Sequence, residues 1–201
     1  RLKVQGSFSE KEIAKVLNHI SNGLNYLHKL PEPIVHLDIK PENILIDSEG
    51  NYSIADFGIS LKMRSTLIRV SNFKGETFAY MAPEKFESKK VGTPADIFAM
   101  GVMIFELCNG DLPWAGMGGR AFEAGLSMPN LNERYSKRLD FLMKVCLNRL
   151  PENRPDAAFI SSITKTFLEQ DFWDKIPYKN SITTPTPKRK KYVWFLPLSL
   201  C

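Results

Sequence analysis

The chain has 201 residues, of which 43% are hydrophobic, and its formal net charge is +5. A chain of this length can bury a full core, so one domain is the first expectation. Much of the positive excess lies in one run, residues 187–191, and neither a basic face interleaved with aromatic residues nor zinc-finger spacing accompanies it. Nucleic acid is therefore not an expected partner. The run is interpreted as a solvated tail, with a nuclear-targeting or anionic-surface patch as the alternative.

Cysteine usage and the C-terminal residues bear on localisation. The three cysteines are far apart and form no CxxC pair, which favours a reducing, intracellular compartment, the nucleus or the cytoplasm. The last ten residues, 192–201, are mostly apolar, but a bilayer span needs about 20 such residues. This run is interpreted as a docked tail, a surface anchor or part of a longer span, so association with an endomembrane stays open.

The first predicted elements are a helix and a hairpin. Ser9-x-x-Glu12 is a capping box, apolar residues follow it at helical spacing, and the prolines in residues 31–33 end the helix. The short apolar runs 43–47 and 52–56 flank the turn sequence SEGN and predict a small β-hairpin. The next segment, residues 58–81, has no clear periodicity, and ordered loops of that length usually carry function or move.

Helical periodicity returns near residue 93. Thr93 is expected to cap a helix, Pro94 suits its first turn, and Asp96 favours the positive end of the helix dipole. This helix is apolar on nearly all faces, which indicates a position in the centre of the domain. Residues 136–150 and 155–170 predict two further helices. The expected fold is mainly α-helical (α+β), with one small hairpin.

A set of polar residues lies between the first helix and the hairpin: Asp38, Lys40 and Asn43, with Asp56 after the second strand. Because a short hairpin brings its ends together, Asn43 and Asp56 are expected to converge on one cation. Their oxygen atoms suit Mg²⁺, which binds few protein groups and shares the phosphates of its substrate. Asp38 would then deprotonate a hydroxyl, and Lys40 would neutralise charge on the moving phosphoryl group.

Each of these residues also has a plainer interpretation. Asp56 is in isolation most simply a turn residue. Asn43 can cap a turn, and Lys40 can be a solvated surface lysine. The glycines of residues 116–119 follow no strand and are interpreted as a loop rather than a phosphate cradle.

Five motifs occur in the order and near the spacing that protein kinases show: HLDIKPEN, DFG, YMAPE, DIFAMGVMIFEL and CLNRLPENRP. They resemble, in turn, the catalytic loop, the metal-binding triplet, the end of the activation segment, the central helix and the segment with the buried arginine. The resemblance covers roughly residues 2–168. It implies the C-terminal lobe of a protein kinase, a helical bundle with a small β-hairpin, over residues 1–170. Residues 171–201 would form a tail that is first basic and then apolar.

The resemblance implies a role for each site residue, with ATP and Mg²⁺ as cofactors and a protein as substrate. Asp38 would be the catalytic base and Lys40 the lysine that contacts phosphate. Asn43 and Asp56 would hold the metal ions, and Leu45 would lie under the adenine ring.

The remaining positions carried over are mostly structural. Glu84 would pair with Arg154, and Asp96 would hold the backbone of the catalytic loop. His36 and Phe57 would join the internal hydrophobic stack. Thr77 would line the pocket next to the residue that accepts the phosphoryl group.

The chain departs from the family at Leu37, where most kinases have the arginine that receives an activation-loop phosphate. Phosphorylation of the segment that contains Ser65, Thr66 and Ser71 is therefore not expected to switch the enzyme in the usual way. A residue other than arginine here is common in the Wee/Myt branch, which inhibits cyclin-dependent kinases. The stretch 95–125 also resembles that branch. Its substrate would be a cyclin-dependent kinase, and the protein is expected to be a monomer.

Two alternatives stay open. The pair Gly75–Glu76 is one residue further from Tyr80 than the Wee/Myt branch would place it, and Thr77 resembles ordinary serine/threonine kinases. A kinase-like module that only binds partners is the third interpretation. No glycine-rich loop and no strand lysine precede residue 36. The N-terminal β-lobe is therefore expected to be absent from this chain, which predicts weak or absent nucleotide binding by these residues alone.

Overall fold

The computed structural model describes residues 1–3, 8–57, 61–62, 68–69, 78–87, 90–174 and 176. The helices in these ranges are α1 (Glu10–His28), α2 (Pro83–Phe86), α3 (Pro94–Asn109), α4 (Lys137–Cys146) and α5 (Ala157–Gln170). Several predicted features lie outside the described residues: the tail from 177 onwards with its basic run, Thr77, the pair Gly75–Glu76, and the positions Ser65, Thr66 and Ser71.

The strands are short and pair only in twos within the described ranges. They are β1 (Ile34–Val35), β2 (Ile44–Ile46), β3 (Tyr52–Ile54), β4 (Leu61–Lys62), β5 (Ile68–Arg69) and β6 (Lys90–Val91). The antiparallel pairs are β1 with β4, β2 with β3, and β5 with β6. The β2–β3 pair is the predicted hairpin. Strands β4 and β5 lie in the segment that showed no periodicity, because two-residue strands are too short to produce a sequence pattern.

Helix α1 begins and ends where the sequence predicts. The Ser9 hydroxyl accepts a hydrogen bond from the Glu12 amide at 3.2 Å, and the Glu12 carboxylate accepts one from the Ser9 amide at 2.8 Å. One face of the helix is fully buried, including Ile13, Leu17 and Ile20. This buried face stabilises the fold, since burying each such side chain contributes about 1.5–3 kcal/mol.

Helix α3 crosses the centre of the fold and is buried on nearly all sides, as its composition predicts. Its Gly101 packs against α4, since a Cβ there would lie 2.9 Å from the Cβ of Cys146. The prediction that Thr93 caps the helix is wrong. Thr93 itself has helical dihedral angles (φ −52°, ψ −29°) and its side chain makes no capping hydrogen bond. A capping residue needs an extended backbone to turn its oxygen toward the first amides.

Helices α4 and α5 complete the bundle. Each has a side-chain cap, from Ser136 and Asp156 respectively. Helix α4 ends at Cys146, several residues before the predicted end, and Pro151 begins a separate 3₁₀ turn. Helix α5 packs on α1, where the Asn18 amide donates to the Ser161 carbonyl at 3.0 Å.

The buried core continues past residue 170. Trp173 is 4% exposed, and its ring stacks on Phe167 with centroids 4.3 Å apart. Its indole N–H donates to the Glu10 carboxylate at 2.5 Å, and the same carboxylate accepts from the Ser136 amide at 2.9 Å. One side chain at the start of α1 therefore joins the start of α4 to the segment after α5.

The predicted class, a helix-rich domain with a small antiparallel β component, is confirmed. None of the described helices combines the length and the apolar character that crossing a bilayer requires.

Candidate active site

The β2–β3 hairpin brings two predicted metal-binding residues to one end. Ile44 pairs with Ile54, and the Ala55 amide donates to the Asn43 carbonyl at 2.8 Å. Asn43 and Ala55 are therefore neighbours across the open end of the hairpin, and Asp56 is the next residue. Asp56 has a left-handed backbone (φ 65°) and an exposed side chain. Aspartate tolerates this conformation better than most residues.

The structure brings Asp38, Lys40 and Asn43 into direct contact. Asn43 is 3% exposed, and its amide nitrogen donates to the Asp38 carbonyl at 2.9 Å and to Asp38 Oδ2 at 2.7 Å. The Lys40 ammonium lies 2.8 Å from the same oxygen. Both hydrogens of the Asn43 amide are thus directed at Asp38, so the amide oxygen is the atom that suits a cation.

The buried carboxylate of Asp96 holds the backbone of this loop. Asp96 Oδ2 accepts from the His36 amide at 2.9 Å, and Oδ1 accepts from the Leu37 amide at 2.7 Å. The ring of His28 contacts the same carboxylate at 2.9 Å. Leu37 has a left-handed backbone (φ 69°), an arrangement that costs a non-glycine residue about 1–2 kcal/mol. The prediction that Asp96 fixes the loop is confirmed, and its hydrogen bonds offset that cost.

His36 and Phe57 are in contact, with ring centroids 4.9 Å apart in an edge-to-face arrangement. Only His36 is internal as predicted, because Phe57 is 49% exposed. Burial lowers the pKa of His36, while Asp96, the Ala55 backbone, Asp38 and Asp56 oppose that shift. The neutral ring is therefore favoured near pH 7, as a structural role requires.

Leu45 lies on β2 and is 42% exposed, as is its neighbour Ile46. An exposed apolar strand next to Asn43 is the surface that the resemblance assigns to the adenine ring.

The predicted ion pair between Glu84 and Arg154 is confirmed. The two side chains form a bidentate contact with N–O distances of 2.7 and 2.8 Å. The other guanidinium N–H groups donate to the carbonyls of Asn148, Pro94 and Arg149. All five donors of Arg154 are thus satisfied in a buried site, and α2 is fixed to the start of α3.

One contact of this region was not predicted from the sequence. The Tyr80 hydroxyl donates a hydrogen bond to the Glu106 carboxylate, and burial raises the pKa of both groups. The negative charges of Glu42 and Asp38 raise the Tyr80 pKa further. The available signal was that α3, which is mostly apolar, carries a second acidic residue besides Asp96, because a carboxylate that loses contact with water needs a partner.

The glycines in residues 116–119 also have a role that the sequence did not show. They belong to two 3₁₀ turns, Pro113–Gly116 and Gly118–Phe122. The Gly119 amide donates to the Met81 carbonyl at 2.8 Å, and a Cβ at Gly119 would lie 2.3 Å from the Pro83 nitrogen. Only glycine allows this approach, which packs the second 3₁₀ turn directly against the backbone of residues 81–83.

The structure thus combines a loop that the buried Asp96 holds, the contacts of Asp38 with Lys40 and Asn43, and a hairpin followed by Asp56. Positioning and neutralising a phosphoryl group requires groups of these types. Residues 1–166 match the family model described as the protein kinase domain. The chain therefore belongs to the protein kinase family.

Its curated relatives include three kinases with similar levels of identity. The chain is 31% identical over 200 residues to mitogen-activated protein kinase kinase 3 of Arabidopsis thaliana, covering 94% of this chain and 37% of that protein. It is 31% identical over 191 residues to ribosomal protein S6 kinase alpha-6 of Homo sapiens, covering 92% and 25%. It is 30% identical over 173 residues to mitogen-activated protein kinase kinase 2 of Arabidopsis thaliana, covering 85% and 44%.

The chain thus spans less than half the length of each of these relatives. Their names indicate kinases of the mitogen-activated and ribosomal protein S6 types, and they do not place the chain in the Wee/Myt branch.

Proposed function

We propose that the protein transfers the γ-phosphoryl group of ATP to a protein hydroxyl, with Asp38 as the catalytic base. The observation that carries this proposal is the contact of Asp38 with both Lys40 and Asn43, on a loop whose backbone Asp96 holds. Family membership supports the reaction class. The roles of the individual residues rest on this geometry.

Asp38 is oriented for proton transfer by its neighbours. The amide of Asn43 and the ammonium of Lys40 both contact Oδ2, and hydrogen bonds to a charged group are short and directional. Oδ1 is the oxygen that we assign to the substrate hydroxyl. Lys40 already lies beside this carboxylate, so its charge also reaches a phosphoryl group that approaches the hydroxyl.

The residues at the end of the hairpin fit Mg²⁺. The side-chain nitrogen of Asn43 donates to Asp38, so Asn43 supplies its amide oxygen to the ion. Asp56 supplies a carboxylate. Both are hard oxygen donors of the kind that Mg²⁺ selects. When bound, the ion would neutralise charge on the phosphates of ATP.

The exposed face of Leu45 is assigned to the adenine ring. We further propose that residues 1–170 correspond to the C-terminal lobe of the kinase. These 201 residues alone would bind Mg-ATP weakly, because an adenine ring on an open face keeps much of its contact with water. Calorimetric titration of the isolated chain with Mg-ATP tests this point, and micromolar affinity would refute it.

The protein is proposed to act inside the cell, in the nucleus or cytoplasm, as a monomer.

Two finer assignments each have one supporting observation. The Wee/Myt-like assignment is supported by Leu37, whose half-buried apolar side chain packs against the core where most kinases carry a cation. The ordinary serine/threonine assignment is supported by the named relatives. Incubation of the full-length protein with a cyclin-dependent kinase and with Ser/Thr peptide arrays separates them. Phosphate on the ATP loop of the cyclin-dependent kinase selects the first, and broad Ser/Thr peptide labelling selects the second.

The decisive variant for the reaction itself is Asp38→Asn in the full-length protein, assayed with radiolabelled ATP. Loss of a positioned base is expected to lower the turnover by about 10²–10⁴-fold. Asp174→Asn, at an exposed position after α5, is the matched control and should keep wild-type turnover. A protein that acts only as a binding module would keep its cellular function in the Asp38→Asn variant, and that result would remove the proposal.

A further inference from the structure

Three side chains from separate segments, two of them exposed and one half-buried, form a cluster beside the end of the activation segment. We call Phe78, Phe86 and Arg120 the aromatic–arginine cluster. The two rings are nearly parallel, with an interplanar angle of 15° and centroids 6.2 Å apart. The guanidinium carbon of Arg120 lies 4.8 Å from the Phe86 centroid and 5.7 Å from the Phe78 centroid.

The positive charge of this cluster is directed at solvent. Arg120 is exposed, and Phe78 is 54% exposed. Within the described part of the chain, no Asp or Glu carboxylate forms an ion pair with the Arg120 guanidinium. A guanidinium that lies against aromatic rings keeps the N–H donors of its edge available for a planar acceptor.

The position of the cluster connects it to the proposed reaction. Phe78 is the first residue of the turn 78–80, and Tyr80 of this turn donates a hydrogen bond to Glu106 of α3. The same helix holds the catalytic loop through Asp96. We infer that a polypeptide that presents a hydroxyl to Asp38 passes this turn, because α3 holds both the turn and the loop of Asp38. The exposed Met117, in the segment that precedes Arg120, adds apolar surface near the same place.

We propose that the aromatic–arginine cluster is a specificity subsite for a carboxylate side chain, Glu or Asp, at one position of the protein substrate. Arg120 would bind the carboxylate through its N–H edge, and the rings of Phe78 and Phe86 hold the guanidinium in place. The negative charges of Asp38 and Glu42 lie on the catalytic-loop side, so an acidic residue is favoured only at the substrate position that reaches Arg120. This inference rests on the proposed kinase function and deepens it.

The test uses the full-length protein and a set of peptides with a central Ser, Thr or Tyr. Each flanking position is fixed in turn as Glu, Gln, Lys or phosphoserine, and kcat/KM is measured. Wild type should prefer Glu over Gln by about fivefold at one position, the upper end for an exposed ion pair. Arg120→Gln should abolish that preference, and Arg120→Glu should replace it with a preference for Lys. Arg138→Gln, at an exposed arginine on α4, is the matched control and should keep the wild-type preference.

The inference is overturned if wild type shows no Glu preference at any position, or if the preference survives Arg120→Gln. A preference for phosphoserine without one for Glu would also overturn it, since it would identify a phosphate subsite. Should wild type phosphorylate no peptide, the proposed function fails. The subsite is then judged by fluorescence anisotropy alone, where the Glu peptides must bind wild type more tightly than the Arg120→Gln variant.

Discussion

Replacing Asp96 with asparagine tests how the central helix controls the catalytic loop. The carboxylate accepts hydrogen bonds from the backbone amides of His36 and Leu37, one on each oxygen, and contacts the ring of His28. Asparagine has the same shape but only one acceptor oxygen. Whichever way its amide turns, the NH₂ group faces one of the two backbone N–H groups, and that buried donor loses its partner.

The expected cost follows from these contacts. One unsatisfied buried N–H costs about 1–3 kcal/mol, and replacing the charged acceptor of the other amide by a neutral one weakens that hydrogen bond by about 1 kcal/mol. Asp96→Asn should therefore lower the free energy of unfolding by about 2–4 kcal/mol. The left-handed Leu37 is then no longer held, so the loop that carries Asp38 should also open locally.

Urea denaturation at pH 7 measures the first effect, and hydrogen exchange at the amides of residues 36 and 37 measures the second. Asp140→Asn is the matched control. Asp140 also accepts from a backbone amide, that of Leu131 at 2.9 Å, but its ion pair with Lys144 is partly exposed. This control should lose less than about 1 kcal/mol. If Asp96→Asn costs no more than Asp140→Asn, or if exchange at residues 36 and 37 is unchanged, Asp96 does not hold the loop.

Three further changes have defined outcomes. Glu84→Ala removes the carboxylate of the buried ion pair and should lower the free energy of unfolding, measured by urea titration, by about 3–5 kcal/mol. Its control, Glu87→Ala, removes a surface ion pair and should cost less than about 1 kcal/mol. Equal losses would show that burial of the Glu84–Arg154 pair does not matter. Gly119→Ala places a Cβ 2.3 Å from a proline backbone nitrogen and should cost at least about 1–3 kcal/mol. Gly23→Ala, where the nearest atom is the end of a flexible isoleucine, should be neutral or stabilising, and thermal melting compares the two. Burial lowers the pKa of His36 below the ordinary histidine value of 6.5, so the unfolded chain takes up this proton first as the pH falls below 6.5. Stability should then decline with falling pH, by at most about 1.4 kcal/mol per pH unit, until the folded-state pKa is passed. The His36→Phe variant should show a shallower decline in urea titrations between pH 5 and 7, and an unchanged slope would contradict this.

Features that depend on neighbouring residues were predictable from the sequence. The capping box at Ser9 and the proline-limited end of α1 involve groups within one helical turn, so their pattern is local. The β2–β3 hairpin is equally local. The ion pair of Glu84 with Arg154 joins residues 70 positions apart, and it was predicted only because the motifs resemble those of a known family.

The features that sequence reasoning missed are contacts between distant segments. Tyr80 and Glu106 belong to different elements, and neither residue alone indicates which partner it has. The close approach of Gly119 to Pro83 is a steric fact that exists only once the segment 78–83 is in place. Thr93 was assigned as a cap from its residue type, but its backbone is already helical.

The most direct test of the account concerns the two residues that the hairpin brings together. Nucleotide affinity of the full-length protein is measured by calorimetry with and without Mg²⁺, for wild type and for Asp56→Asn. Asp174→Asn serves as the control. If Asp56 and Asn43 hold the cation, Mg²⁺ should strengthen ATP binding in wild type and in the control, and Asp56→Asn should lose most of that gain, about tenfold or more in Kd. An equal Mg²⁺-dependent gain in the Asp56→Asn variant would contradict the proposed site.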